Sequence, residues 1–275
     1  MKRLEDRVAV VTGAGSGIGR AISRELSRRG CHLALADLDA EALEETRRTL
    51  QGRGKATTHL VDVSKLEDMQ RLARETVDAH ERVEILVNNA GVGVAGTFQE
   101  QSLEDFEWLF GINFWGVVYG CKLFLPQLLG ADEAHIVNIS SIFGVVGMPL
   151  NSSYCASKFA VRGLSESLRV ELADSSVGVT SVHPGGIATN IAARSRYPEG
   201  TEIGGARARV VELFRKMMPP ERAAEHIVTA IRKDAPRCVI TREAHLLDMS
   251  QRLSPQLTGA LLGKTWRRVV DRLSR

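Results

Sequence analysis

Short runs of aliphatic and β-branched residues alternate along the chain with longer stretches whose apolar positions recur every three or four residues. Val8–Val11, Leu33–Ala36, Thr57–Val61, Ile85–Val87, Ile136–Ile139, Val179–Val182 and Val239–Thr241 read as strands. Most are continuously apolar, the pattern of strands covered on both faces. Between them Ile18–Arg29, Ala40–Arg53, Lys65–His80, Leu103–Leu129, Ser153–Asp174 and Glu221–Lys233 read as helices. This alternation predicts an α/β fold: a doubly wound parallel sheet of about seven strands with helices on both faces, wound by right-handed crossovers. No repeat or low-complexity linker interrupts it, so residues 1–243 read as one domain. Two segments break the rhythm. Asn190–Met218 carries a Gly/Pro-rich piece, Tyr197 to Gly205, before a helical run, and is expected to be a lid of about residues 190–218. Residues 244–275 form an extension in which, after Pro255, Leu257, Leu261, Leu262, Trp266, Val269, Val270 and Leu273 trace an amphipathic helix.

The chain's 275 residues suit one large domain, and 44% hydrophobic with 25% charged residues is ordinary globular composition. The start, Met-Lys-Arg-Leu-Glu-Asp-Arg, lacks the apolar core of a secretion signal, and no apolar run approaches the ~18 residues of a spanning helix. Cys31, Cys121, Cys155 and Cys238 are scattered without CxxC spacing, so neither a metal site nor a disulfide framework is expected. A reducing, cytoplasmic setting follows from that usage. The net charge of +3 is concentrated at the end: Lys264, Arg267, Arg268, Arg272 and Arg275 against Asp271 give +4, leaving the remainder at about −1. The body therefore offers no basic face for nucleic acid.

The first strand runs into Thr12-Gly13-Ala14-Gly15-Ser16-Gly17-Ile18-Gly19, and a helix follows. Glycines let a backbone turn sharply and approach a pyrophosphate, and the amides and dipole of the helix start favour the anion. The familiar GxGxxG spacing fails here, because Ile18 and Arg20 stand where its last glycine would fall. The spacing present, TGxxxGxG, resembles that of the short-chain dehydrogenase/reductase family in its compact, single-domain Rossmann-type form. The resemblance spans about residues 5–240 and implies a nicotinamide dinucleotide held by Gly13, Ser16, Gly17, Ile18 and Gly19. The second strand ends at Asp37, followed by Leu38. A carboxylate there accepts bonds from both adenosine ribose hydroxyls and repels a 2′-phosphate. NADP users of the family carry a basic residue just after this point or in the glycine turn, where this chain has Leu38 and Ser16, so NAD is expected over NADP. The other reading of Asp37 is a cap for the next helix, a task Asp39 can share. By resemblance, Asp62 with Val63 meets the adenine, and Asn88-Asn89-Ala90-Gly91 supports the sheet and lines the cofactor through Asn89. Read as residues alone, that run is only a turn ending a buried strand.

Ser141, Tyr154 and Lys158 lie in NISSIFGVVGMPLNSSYCASK. Tyr154 and Lys158, four apart, share a helix face. A phenol, with a reference pKa near ~10, is a poor base at neutral pH, and a neighbouring ammonium together with a positive nicotinamide lowers that pKa. Such a phenol can take a proton from an alcohol or give one to a ketone. Ser141, thirteen residues earlier, can hydrogen-bond the substrate oxygen as charge develops. YxxxK alone recurs on surface helices; the upstream strand end, the thirteen-residue gap and the glycine turn make it meaningful. By resemblance Tyr154 and Lys158 also touch the cofactor, Ser141 and Tyr154 hold the substrate, and Asn113 completes a tetrad by holding a water that links the lysine to solvent. Asn113 can equally mark a helix kink or an internal hydrogen bond. Ser140 rivals Ser141, but strand alternation lets only one face the site, and Ser140 is expected behind it. His183-Pro184-Gly185-Gly186-Ile187-Ala188-Thr189 resembles the family's PGxxxT segment, in which Ile187 and Thr189 orient the carboxamide; as residues it is also a Pro-Gly turn. Cys155 reads as a buried, inert thiol beside the tyrosine.

The implied activity is hydride transfer between NAD(H) and an alcohol/ketone pair. Ile142-Phe143-Gly144-Val145-Val146-Gly147-Met148-Pro149-Leu150 is markedly apolar. Lining a pocket, it implies a hydrophobic secondary alcohol or ketone; otherwise it packs beneath the site. The alternatives are an NADP-preferring carbonyl reductase and a nucleotide-binding sensor or scaffold without turnover. The resemblance implies a homodimer or homotetramer built on the helices of Asn113 and Tyr154. The tail can pack on its own subunit, seal an oligomer, or lie on an anionic membrane.

Overall fold

The computed structural model describes residues 1–197 and 204–273, with the backbone alone for 204–206 and 265–273. Seven parallel strands form one sheet: β1 (Val8–Thr12), β2 (His32–Asp37), β3 (Ala56–Leu60), β4 (Ile85–Asn88), β5 (Ala134–Ile139), β6 (Val177–Pro184) and β7 (Arg237–Ile240). Their order is β3-β2-β1-β4-β5-β6-β7. The order reverses between β1 and β4, where an open parallel sheet leaves a crevice at its carboxyl ends.

Side-chain alternation along the strands separates two cores. Ala9, Val11, Leu33, Leu35 and Val87 pack on one face with α1 (Gly17–Arg28) and α9 (Pro220–Lys233), through Ile22, Leu26, Ile227 and Ile231. Val10, Ala34, Leu86, Ile136 and Val179 pack on the other with α3 (Leu66–His80), α5 (Gly116–Leu129) and α6 (Ser152–Glu171), through Met69, Leu72, Phe124, Leu128 and Val161. Both faces of the central strands are thus sealed, which explains why their sequences read as unbroken apolar runs.

The helix α2 (Ala40–Arg48) stops earlier than its pattern predicts. The chain bends at Thr49 to cross the end of α1, where Gly52 donates to Ser27 Oγ at 2.9 Å. A Cβ on Gly52 would lie 2.0 Å from the Ser27 carbonyl, so only glycine allows that crossing. The stretch expected as one helix from Leu103 to Leu129 is α4 (Leu103–Phe110), a π-turn (Gly111–Trp115) and α5. It also amends the sequence reading of apolar runs. An 18-residue window within Leu103–Leu129 has mean hydropathy 1.3, long and apolar enough by composition to cross a membrane. Leu109, Phe124 and Leu128 are fully buried in the domain, and a core helix passes the same test.

After β6 come α7 (Ile191–Arg194) and α8 (Gly204–Arg215); residues 198–203 of the expected lid lie outside the described residues. A helix that periodicity missed, α10 (Arg242–Leu253), runs across residues 243 and 244, and α11 (Pro255–Leu273) follows. Ala244 is fully buried with Ile142, Val145 and Val146, and Val239, Leu247 and Leu262 pack around them. The start of the C-terminal segment is therefore fastened to the domain. The side chains of Trp266, Val269, Val270 and Leu273, and the terminal basic residues beyond Lys264, lie outside the described set.

Candidate active site

Gly13 (φ +65°) and Gly17 (φ +52°) occupy the left-handed region that glycine enters without penalty. Gly19 is needed for space: a Cβ there would sit 2.1 Å from the Gly13 carbonyl oxygen. Ser16 stands at the cap position of α1 without a capping side-chain bond, and the first turn carries no acid. The amides at this helix start are thus left for an external anion, and the turn fits a pyrophosphate. Ile18 packs partly buried against the first core. Across the turn, a Cβ on Gly17 would meet Thr189 Cγ2 at 3.1 Å, so the PGxxxT-like segment faces the glycine turn. Ile187 is buried, and its neighbour Ala188 donates to the Met218 carbonyl at 2.8 Å.

Asp39, not Asp37, caps α2, accepting from Ala42 N at 3.0 Å. Asp37 Oδ2 instead accepts from Gly15 N at 2.8 Å, which places its carboxylate beside the turn. Leu38 is 63% exposed. The nearby Arg20 guanidinium donates to the Gly15 carbonyl and pairs with Glu45 at 2.7 Å. Asp62 Oδ1 accepts from the amide and hydroxyl of Ser64, at 3.0 and 2.6 Å. Val63 is buried against Gly116. Asn89 spends its side chain on the turn itself, donating to Thr12 O at 2.9 Å and Gly13 O at 3.2 Å. Asn88 lies inside the sheet layer and donates to Asn138 Oδ1 at 2.8 Å.

The four residues expected to react come together at the ends of β4 and β5. Ser141 opens a short 3-10 turn (Ile142–Gly144), its hydroxyl accepting from Phe143 N at 3.1 Å. That side chain also acts on the Tyr154 phenol, pulling its pKa down. The half-buried Tyr154 ring meets Phe143 edge to face at 6.2 Å. One helical turn on, Lys158 is buried, with Nζ 5.7 Å from the centre of the Tyr154 ring and donating to the Ile139 carbonyl at 2.9 Å. Asn113 sits in the π-turn, fully buried. It clamps Val92, accepting from its N–H at 2.9 Å and donating to its carbonyl at 3.0 Å, and reaches Ser157 Oγ at 3.2 Å. Asn113 makes internal hydrogen bonds at an irregular turn, and it borders the lysine. A Cβ on Gly91 would lie 3.3 Å from Asn113 Oδ1 and 3.4 Å from Lys158 Nζ, so this glycine keeps open the space between them. Ser140 faces away, donating to the Lys158 carbonyl at 2.8 Å.

The electrostatics of the protein alone differ from the sequence expectation. Burial pushes the Tyr154 phenol up to about 12, against the opposing pull of the Ser141 hydrogen bond. Burial likewise pushes Lys158 down to about 8. Desolvation penalises every charged form in the cleft, so a low phenol pKa is not a property of the side chains by themselves. A bound positive charge is needed to reverse it.

Two readings of the neighbouring sequence are settled by packing. Ile142, Val145 and Val146 bury beneath the site with Ala244 of α10, while Phe143, Met148, Pro149 and Leu150 stay half-buried, Phe143 against the tyrosine ring. Cys155 is 7% exposed and its thiol is raised by burial, the state of an inert thiol. His183, for which no motif implies a task, is fully buried. Its Nδ1 lies 3.1 Å from the Ser141 carbonyl and its Nε2 3.0 Å from Ser181 Oγ. Burial holds the ring neutral, its pKa down at about 4. It ties the strand end before the PGxxxT-like turn to the backbone of Ser141. Adjacency to that turn was the only signal in the sequence.

Among the described residues no cluster of His, Cys, Asp and Glu could hold a metal ion. Residues 7–200 match the short chain dehydrogenase family. A protein of Mycobacterium tuberculosis named as the oxidoreductase SadH is 38% identical, covering 98% of this chain and 96% of its own. The crystal structure of a short chain dehydrogenase/reductase from Burkholderia phymatum in complex with NAD superposes with a TM-score of 0.85 at 32% identity, over 94% of this chain and 96% of that one. An alcohol dehydrogenase from Thermococcus sibiricus complexed with 5-hydroxy-NADP superposes at 0.73 with 27% identity, over 86% of this chain and 95% of that one. Sequence and sheet order agree, and the chain belongs to the short-chain dehydrogenase/reductase family of oxidoreductases.

Proposed function

We propose that the protein transfers hydride between NAD(H) and an alcohol/ketone pair, with Tyr154 as the acid/base. The observation that carries this reading is the Tyr154 phenol, its pKa pulled down by Ser141, with the buried Lys158 one helical turn on, in a fold whose glycine turn faces Thr189. Gly13, Ser16, Gly17, Ile18 and Gly19 would hold the pyrophosphate, Asp37 the ribose hydroxyls, Asp62 and Val63 the adenine, and Ile187 and Thr189 the carboxamide. Asn89 holds the turn in shape. When bound, NAD supplies the ring that accepts the hydride and, oxidised, a positive charge beside Tyr154.

In the oxidative direction, the alcohol oxygen lies between Ser141 and Tyr154, and its proton passes to the Tyr154 oxygen as the ketone forms. Ser141 donates to the same oxygen while it carries charge. Lys158, fixed by the Ile139 carbonyl, favours the phenolate and returns its proton toward solvent on the side where Asn113 lies. NAD is preferred because Asp37 repels a 2′-phosphate, Leu38 offers no cation, and Arg20 is committed to Glu45. The substrate we favour is a hydrophobic secondary alcohol or its ketone, packed on Phe143. The burial of Ile142, Val145 and Val146 leaves that ring as its main support. Residues 190–218 would cover it. Exposed Trp115, Leu129 and Phe159 on the π-turn, α5 and α6 support assembly into a homodimer or homotetramer through those helices.

The test is the NADH absorbance change of the wild type and Tyr154→Phe over a panel of alcohols and ketones with NAD and NADP. The variant should lose about 10²–10⁴-fold in turnover with NAD affinity unchanged. Equal rates in the two proteins would refute the mechanism, and turnover of polar sugars alone would refute the substrate class. NAD binding with no turnover on any substrate would favour a nucleotide sensor.

A further inference from the structure

A cavity of about 620 Å³ opens at the β7 edge of the sheet, and none of its lining residues belongs to the catalytic group or the glycine turn. Its floor is Val239 and Ile240 of β7 with Met217 and Met218. Its rim is basic. On α9, Arg222 and His226 stand one helical turn apart and share a face; on α10, Arg242 and His245 do the same. The volume is that of a small-molecule site.

Three observations set this rim apart from ordinary surface charge. Neither guanidinium has an ion pair or hydrogen bond among the described residues, although the protein pairs many of its other arginines. Both stand in the first turn of their helices, where the dipole disfavours a cation. The acid on the rim, Glu243, keeps its charge but forms no ion pair with either arginine among the described residues, its carboxylate accepting from Gly186 N at 3.2 Å. Between the two arginines, Thr241 holds φ +84°, a strained conformation for a β-branched residue, with its hydroxyl accepting from Ala244 N at 3.4 Å. Gly185 is required opposite it, since a Cβ there would lie 2.2 Å from Thr241 Oγ1. Two guanidiniums without ion-pair partners at the starts of two helices, flanking one cavity, leave the rim able to hold an anion.

We propose that this cavity is a binding site for a small dianion, held between Arg222 and Arg242 with its carbon portion on Met217, Met218 and Val239. Two chemistries supply such a ligand, a phosphate-bearing compound and a dicarboxylate. The site adjoins the segment of Ile187 and Thr189, because Gly186 lines it and Met218 accepts the hydrogen bond of Ala188. It does not depend on what that segment orients.

Calorimetric titration of pyrophosphate, and separately of malonate, into NAD-saturated protein tests the proposal. The comparison is between the wild type, Arg222→Gln/Arg242→Gln and Arg222→Lys/Arg242→Lys. The glycine turn is the same in all three, so a difference between them reports on the cavity. The glutamine form should bind about a hundredfold more weakly, roughly tenfold for each lost charge-assisted contact. The lysine form, which keeps the charge, should bind within about tenfold of the wild type. Saturation by pyrophosphate alone identifies a phosphate ligand; saturation by malonate as well identifies a general dianion site. Absence of saturable binding to the wild type, or equal binding by the glutamine form, overturns it. NAD affinity, measured in the same samples, tests the proposed cofactor separately.

Discussion

Lys158→Met removes a charge that the fold holds at a cost. Burial moves the lysine from its ordinary 10.5 to about 8. Between those values the folded chain binds fewer protons than the unfolded chain, so this group raises stability as pH rises through the window. Below about pH 8 both states are protonated and the full penalty is present. A shift of about 2.5 units is worth about 3 kcal/mol, at about 1.4 kcal/mol per unit. Raising pH from 7 to 9.5 should relieve about 2 kcal/mol of it. Methionine fills a similar volume without the charge. It leaves the Ile139 carbonyl unpaired, at about 1–3 kcal/mol, so the net gain at pH 7 is small. The loss of that bond does not depend on pH, and burial keeps the Tyr154 phenol and the buried cysteines protonated in the folded protein at pH 9.5. The difference between variant and wild type therefore isolates the lysine. Urea unfolding of both proteins at pH 7 and 9.5 measures it. The variant's relative stability should fall by about 2 kcal/mol over that interval, while its turnover is lost at both pH values. A stability difference that does not change between the two pH values would refute the argument that burial, rather than pairing with the phenol, governs this lysine.

Ser141→Ala should lower turnover about 10²–10³-fold by removing a donor to the reacting oxygen. In ketone reduction, where Tyr154 is the acid, it should also move the alkaline limb of the rate profile upward, since Ser141 pulls the Tyr154 phenol down; a limb that stays put would contradict this. Asp37→Ser should weaken NAD about 10–100-fold and narrow the gap to NADP, measured as Kd for each cofactor. Gly19→Ala puts a Cβ 2.1 Å from the Gly13 carbonyl and should cost about 1–3 kcal/mol in urea unfolding, together with most of the NAD affinity.

Much of the fold was legible because a strand sealed on both faces reads as a nearly continuous apolar run, as Val8–Val11 and Ile85–Val87 do. The boundaries that failed were set by distant contacts. Helix α2 ends where Gly52 meets Ser27, and α10 went unread because its buried partners, Ile142, Val145 and Val146, lie a hundred residues earlier. The same burial removed Ile142, Val145 and Val146 from the apolar lining from which the substrate class was inferred.

By itself the sequence determined the glycine turn, the acid at Asp37 and the one-turn spacing of Tyr154 and Lys158, because local backbone geometry and helical periodicity act over a few residues. Tertiary structure alone decided that Asp39 takes the capping role and leaves Asp37 beside the turn. It alone decided that His183 anchors Ser141, and that burial drives Tyr154 and Lys158 away from their charged forms. Hydrogen-bond partners and desolvation belong to the packed interior, where residues far apart in the chain share a surface that no spacing in the sequence encodes.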